Sequence, residues 1–404
     1  MSVIHGQNFL MVPGPTNVPD RVQRAMHRNS TDHRAPDFPE ITHSVLKDLK
    51  KIFCTETGRA FVFSATGTGM WESGLTNCLN PGDTILTVRL GQFSLLWIDM
   101  MERLGFNPIV LDVEWGEGLP VDKIKAHLMA DRAHKIKSLC VVQNETTVGV
   151  YTDIPAMRRV LDETRHPALL MVDGVSSIAS LPFKMDAWGV DVSITGSQKG
   201  FMLPAGLGLL AASQKALKMS ETSTYPRCFF SWRDMIVNND VGYFPYTPST
   251  PFLHGLREAL DMLLEEGIEN VWERHHRLAT ATRLAVKAWG LKPIAKKESE
   301  QSDAITAVLV PAGFDGQEIV ATAYQKYNLS LGGGLMKVKG KVFRIGHIGD
   351  INELTLLGTL AGVEMTLRDV GIPVKLGSGV AAASEYLQST GVPLRGLNGV
   401  QAKI

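Results

Sequence analysis

Cysteine is scarce: four in 404 residues, at Cys54, Cys78, Cys140 and Cys228, scattered and without a CxxC pair. That usage fits a reducing compartment and argues against a zinc site. Charge of one sign is not in surplus either, because 41 Lys and Arg balance 41 Asp and Glu. Nucleic acid and an anionic membrane are therefore not the expected partners. No uninterrupted apolar run reaches the about 18 residues that suggest a membrane span, and the start lacks a basic patch followed by an apolar core. The expectation is a cytoplasmic protein that handles a small molecule. Core material, by contrast, is plentiful: 44% of the residues are hydrophobic and 20% charged, which supports a large interior and more than one domain.

The most informative stretch runs from Leu170 to Gly200. An apolar run from Ala168 to Val172 stops at Asp173-Gly174, and a second from Val190 to Ile194 stops at Thr195-Gly196-Ser197-Gln198-Lys199. Short apolar runs that stop this way read as buried parallel strands. Ligands of open α/β sheets collect beyond the carboxyl ends of such strands, so a carboxylate and a primary amine can share one crevice. The pair suits pyridoxal phosphate, whose aldehyde Lys199 would hold as a Schiff base while Asp173 faces the pyridine nitrogen. Lys199 would then move the Cα proton of an amino acid as general acid and base. A free lysine titrates near ~10.4, so this role asks for a downward shift of roughly three units, supplied by burial and nearby cations. Taken singly, a lysine after a strand is usually solvated and Asp-Gly is usually a turn. The combination is what carries specificity.

A second ligand-facing turn lies earlier. Ala60 to Ser64 reads as a strand and Gly69 to Asn80 as a helix, with Ala65-Thr66-Gly67-Thr68-Gly69 between them. Glycines admit a ligand close to the backbone, and the first amides of a helix offer free donors to a phosphate. Thr68 and Gly69 are the expected cradle. A dinucleotide fingerprint is opposed by Glu72, which stands where GxGxxG requires its last glycine.

The rest of the chain alternates strand and helix, with strands near 84–88, 109–113 and 139–143 and helices near 97–104 and 121–128, which implies a mostly parallel sheet with helices on both faces. Phe9 to Pro19 is broken by Pro13, Gly14, Pro15 and Pro19 and should be an extended arm, of the kind that often lies across a neighbouring subunit. Phe93 and Trp97 both follow Gly91-Gln92, and either could cover a cofactor ring or sit in the core. The region from 213 to Pro251 reads as a long irregular loop, and long loops in compact domains are usually functional. Helices are expected over 252–266 and 269–289; adjacent His275 and His276 point to different sides and make no i, i+4 metal pair. Beyond Gly290 a smaller α+β unit is expected, with strands at 304–310 and 341–345 and helices at 316–327 and 352–370. Its strand residue Arg344 needs a buried partner, either a substrate carboxylate, which its fork matches with two bonds, or a structural salt bridge.

The motifs Asp173-Gly174-Val175-Ser176-Ser177 and Gly196-Ser197-Gln198-Lys199 resemble those of the class V aminotransferases of fold type I, in the group of serine:glyoxylate and alanine:glyoxylate enzymes. The likeness extends from Val12-Pro13-Gly14-Pro15 to Phe343-Arg344-Ile345-Gly346-His347 and Gly377-Ser378-Gly379-Val380-Ala381, nearly the whole chain. It implies an α/β fold with a large domain, a mostly parallel mixed sheet and a smaller α+β C-terminal domain, divided as an arm (1–22), a pyridoxal phosphate-binding domain (23–268) and a small domain (269–404). It implies pyridoxal 5'-phosphate as cofactor, with Met70 and Gln198 joining Thr68, Gly69, Asp173 and Lys199 around it. The resemblance gives Thr146 to the cofactor's phenolic oxygen or the substrate, and Arg344 to the substrate carboxylate. It also implies a homodimer with shared sites, Arg34 and His33 reaching the partner's substrate and Tyr246 and Thr247 the partner's phosphate. Serine and glyoxylate are the implied substrates, with alanine as donor, pyruvate as acceptor or a lyase reaction as rivals. Cysteine desulfurases share the fold but need a nucleophilic cysteine in a late loop, and none follows Cys228. The tail Gln401-Ala402-Lys403-Ile404 lacks the S-K-L form of a peroxisomal signal.

Overall fold

The computed structural model describes residues 6–391; the tail Gln401–Ile404 lies outside them. From the N-terminus, β1 (Phe9–Met11), α1 (Asp20–Met26) and α2 (Phe38–Phe53) precede an alternating run. That run is β2 (Arg59–Phe63), α3 (Gly67–Cys78), β3 (Thr84–Arg89), α4 (Gln92–Arg103), β4 (Asn107–Asp112), α5 (Val121–Ala130) and β5 (Ile136–Val142). A short pair, β6 (Asn144–Glu145) and β7 (Val150–Tyr151), leads through α6 (Ile154–Glu163) to β8 (Leu169–Asp173), β9 (Val192–Gly196) and β10 (Gly208–Ala212). Helices α7 (Gln214–Ser220), α8 (Trp232–Asp240), α9 (Thr250–Glu266) and α10 (Ile268–Ala288) follow. The chain continues through β11 (Ile305–Leu309), α11 (Gly316–Tyr327), β12 (Leu329–Gly333), β13 (Val342–Gly346), α12 (Glu353–Asp369) and α13 (Ser378–Ser389).

Seven strands form one sheet in the order β2-β10-β9-β8-β5-β3-β4. β10 runs antiparallel to both β2 and β9, and the other pairs are parallel. The sheet is therefore mixed and mostly parallel, as the alternating pattern predicts. Every residue of β8, β9 and β10 is buried, because helices cover both faces; this is why those strands read as continuous apolar runs rather than alternating ones. β2, β5, β8 and β9 all point the same way, so Ser64, Gln143, Asp173 and Gly196 lie along one edge of the sheet. The turns that follow them converge there.

A second sheet, β1-β12-β13-β11, carries its own buried cluster, including Leu278, Phe343, Ile345, Leu360 and Val363. Within the expected extended arm, Phe9, Leu10 and Met11 form a strand that pairs in parallel with Leu329, Ser330 and Leu331 of the same chain. The prolines after Met11 stop the strand but leave these three residues free to pair. The 213–251 region differs from the expected loop, since it contains α7 and α8. Each begins at a serine whose hydroxyl accepts a backbone N–H, Ser213 from Ala216 and Ser231 from Asp234, a capping signal that the aromatic and proline density obscures. Among the described residues no helix is long and apolar enough to cross a membrane, and no group of three or more His, Cys, Asp or Glu side chains could hold a metal ion.

Candidate active site

Asp173 ends β8 and Lys199 follows β9, the neighbouring parallel strand. Both line a cavity of about 300 Å³ together with Thr68, Phe93, Thr146 and Gln198. Asp173 is 4% exposed and Lys199 9%. One Asp173 oxygen accepts the Val175 amide at 2.8 Å, and among the described residues Asp173 forms no ion pair. Burial, the main cause, pushes its carboxyl up to about 7. The Lys199 amine is brought down to about 8, by burial first and the Arg344 charge second, with Asp173 opposing. The shift has the sign that a proton-moving amine needs.

The segment after β1 closes over that amine. Lys199 Nζ donates to the Pro13 carbonyl, and the Thr16 amide and hydroxyl bond the carbonyls of Gln198 and Lys199 at 3.1 and 3.0 Å. Gly14 is at φ +103°, and a Cβ there would collide with the Lys199 side chain. The Pro-Gly-Pro signal was visible in the sequence, but a contact made across 186 positions was not.

At the start of α3 the N-cap Thr66 makes no side-chain bond, which leaves the first amides of the helix available to an anion. Gly67 and Thr68 line the cavity. Gly67 packs so closely on Val175 that a Cβ would overlap it, which marks this glycine as the close-approach position. Gly69 stands in the first turn, next to Phe230. Met70, expected beside them, is placed differently: its side chain is fully buried in the core, and its amide is committed to the Thr66 carbonyl at 3.2 Å.

Arg344, in β13, is 7% exposed. Its Nε donates to the Gly333 carbonyl at 2.8 Å and its Nη1 to the Thr146 carbonyl at 3.0 Å. Among the described residues it forms no ion pair, so the salt-bridge alternative falls away and the fork keeps donors for a carboxylate ligand. Phe93 lines the cavity, whereas Trp97 is 1% exposed and stacks on Trp71 at 5.9 Å. That separates the two aromatics the sequence left level. Asn144 is a cavity residue that motif reading passed over; its amide nitrogen donates to Ser176 O and Oγ, both at 3.0 Å.

The remaining candidates lie elsewhere. The side chain of Arg34 is exposed and its amide donates to Asp32 at 2.9 Å; His33 is half-buried with its Nε2 unpartnered. Tyr246 is 41% exposed, stacks on Phe229 at 5.5 Å and shares a 2.9 Å contact with Cys228 Sγ; with Thr247 it borders a separate small pocket. This chain alone does not bring these four to the Lys199 cavity.

Residues 9–337 match the family Aminotransferase class-V. The chain belongs to the class-V aminotransferases. It is 57% identical over 384 residues to the serine--glyoxylate aminotransferase of Arabidopsis thaliana, covering 95% of this chain and 96% of that one. It is 56% identical over 388 residues to the serine--glyoxylate aminotransferase of Methylorubrum extorquens, covering 95% and 96%. The crystal structure of ureidoglycine-glyoxylate aminotransferase from Bacillus subtilis superposes with a TM-score of 0.89 at 25% identity, over 96% of this chain and 100% of that chain.

A class-V aminotransferase uses pyridoxal phosphate, and the cavity fits that group. It offers a buried primary amine, a buried carboxylate with no ion-pair partner among the described residues, and a helix start with free amides. Two cavity-lining side-chain oxygens, Gln198 Oε1 and Asn144 Oδ1, are buried without a hydrogen-bond partner. Buried polar atoms of this kind normally find a donor, and a polar ligand would supply it. The volume lies at the small end of the range for ligand pockets.

Proposed function

We propose that this chain transfers the amino group of L-serine to glyoxylate, releasing hydroxypyruvate and then glycine, with pyridoxal phosphate held between Asp173 and Lys199. The observation that carries the reading is the placement of that amine and that carboxylate at adjacent strand ends, in a chain closely similar to enzymes named for these substrates. When bound, the cofactor supplies an aldehyde and a ring that takes up electrons from a bond broken at the amino acid's Cα.

The protein's own residues do the rest. The Lys199 amine, its proton loosened by burial, would hold the aldehyde and would take and return the proton at Cα. Burial disfavours the Asp173 anion. Asp173 would face the ring nitrogen and, ionised beside that cation, would keep it protonated. Thr68 and the free amides at the start of α3 would hold the phosphate, and Phe93 would cover the ring. Arg344, braced by two carbonyls, presents its free N–H groups to the substrate carboxylate. Thr146 and Asn144 line the same cavity and would supply polar contacts for a hydroxyl. A site that binds a hydroxyl discriminates strongly against the analogue lacking it, which favours serine over alanine.

Arg34, His33, Tyr246 and Thr247 act in this reading on the cavity of a second copy, so the working unit is a homodimer. Their position on surface loops, away from their own cavity, supports it. The free cysteines accord with a cytoplasmic setting, and the separate buried cluster of the second sheet accords with a small domain at 269–404 beside a large one at 23–268, with β1 of the arm attached to that sheet. Single-turnover rates of the yellow holoenzyme with serine, alanine and asparagine test the donor. Serine is expected to react fastest; a faster alanine reaction overturns the assignment and leaves the aminotransferase chemistry standing.

A further inference from the structure

Glu145 is fully buried, at 0% exposure, in the turn from Asn144 to Val150 whose sequence singled out only Thr146. It follows Asn144 in β6, and its carboxylate reaches across to the start of α4. There it accepts the amides of Phe93 at 3.4 Å and Ser94 at 3.0 Å, and the Ser94 hydroxyl at 3.3 Å. On its own side it accepts the Thr147 amide at 3.1 Å and the Thr147 hydroxyl at 2.7 Å. Thr147 Oγ1 in turn accepts the Gln92 amide at 3.1 Å. The N-cap of α4 is Gly91, which has no side chain to satisfy the helix's first amides, and a Cβ there would overlap the Glu145 carboxyl group. The glycine lets the glutamate act as the cap.

This contact reaches the cavity through Phe93, which it bonds directly, and through Thr146, which lies in sequence between Glu145 and its partner Thr147. Phe93 lines one part of it and Thr146 another, and the Thr146 carbonyl is one of the two that brace Arg344.

We propose that Glu145 is a positioning residue for cofactor and substrate, whose carboxylate sets Phe93, Thr146 and, through Thr146, the Arg344 fork at fixed places around one cavity. The inference rests on the reading that pyridoxal phosphate and an amino acid occupy that cavity.

The molecule contains its own control. Glu364, 2% exposed, caps α13 in the same manner: its carboxylate accepts the amides of Gly377 and Gly379, each at 2.6 Å, and of Val380 at 3.2 Å, again with glycine at the N-cap. None of these residues borders the Lys199 cavity. Glu364→Gln therefore reports what losing such a cap does to stability alone.

The test compares Glu145→Gln, Glu145→Asp and Glu364→Gln with the unaltered protein, each stripped of cofactor and titrated with pyridoxal phosphate, then assayed as holoenzyme. Glu145→Gln puts an amide among hydrogen-bond donors. Its Kd for pyridoxal phosphate and its KM for serine are expected to rise, each by roughly 10- to 100-fold, the loss associated with hydrogen bonds to a charged group. Glu145→Asp keeps the charge and should recover part of both. Glu364→Gln should lower the melting temperature and leave Kd and KM within about twofold. Should Glu145→Gln fail to accumulate, Thr147→Val, which removes the 2.7 Å contact, carries the same expectation in smaller measure. Unchanged Kd and KM in these variants, with only the melting temperature lowered, would overturn the proposal. An unaltered protein that takes up no pyridoxal phosphate would instead remove the reading beneath it.

Discussion

The inner half of the site and its outer half are built differently. Asp173, Lys199, Thr146 and Gln198 stand at or just beyond buried strand ends, and the chain brings them into one cavity with no outside help. Arg34, His33, Tyr246 and Thr247 ride on surface loops and border other space. Rigid parallel strands dictate where their next residues go, whereas a surface loop acquires its role from whatever docks against it. The difference teaches that one chain by itself gathers the groups proposed for the covalent chemistry, while the four outer candidates reach such a cavity only through the proposed second copy.

That division can be broken at several points. Asp173→Asn removes the carboxylate of the inner half and should cost about 10²- to 10³-fold in kcat, measured on cofactor-saturated enzyme. A loss smaller than tenfold would place the ring nitrogen elsewhere. Arg344→Lys replaces a fork by a point charge and should raise KM for serine and glyoxylate about 10- to 100-fold, with kcat less affected. If kcat falls and KM holds, the arginine serves the fold and not the substrate.

Thr247→Val belongs to the outer half and should weaken pyridoxal phosphate binding by about tenfold. Hybrids of this variant with Lys199→Ala sharpen the comparison. If Thr247 serves the partner's cavity, half the sites in the hybrid carry both lesions and half carry none, so unaltered cofactor affinity returns. If Thr247 serves its own chain, affinity stays weak in every active site.

A separate effect is on stability against pH in the cofactor-free protein. Asp173, raised to about 7, keeps a proton when folded that the unfolded carboxyl, near ~3.9, has lost. Its contribution is complete below that lower value and is lost as pH rises through about 7. Lys199, lowered to about 8, acts over a higher window. The unfolded amine keeps its proton up to ~10.4, so stability climbs between the two values. Denaturant midpoints of the unaltered protein relative to Asp173→Asn should fall between pH 4 and 7, on the order of 4 kcal/mol at most. A flat difference would mean that the carboxyl is solvated.

Much of this was legible because buried strands and their ends have a strong sequence signature. Asp173 and Lys199 close two apolar runs, and both lie where the pattern put them. Thr68 stands at a strand-to-helix turn spelled by glycines, where Gly67 and not the expected Gly69 lines the cavity, while the Met70 side chain is buried in the core. Contacts across long separations left no local trace. β1 pairs with β12 more than 300 positions away, Pro13 meets Lys199, and Glu145 caps a helix that begins some fifty residues earlier. The choice between Phe93 and Trp97 needed the helix's orientation on the sheet. α7 and α8 were missed because a serine cap and one turn of apolar spacing are weak signals among prolines and aromatics.

Borohydride reduction of the yellow holoenzyme, followed by peptide mapping, tests the central claim most directly. The account predicts a single pyridoxyl label, on Lys199, with the visible absorbance lost in step with labelling. A label on any other lysine, or reduction without a covalent label on the chain, would contradict it.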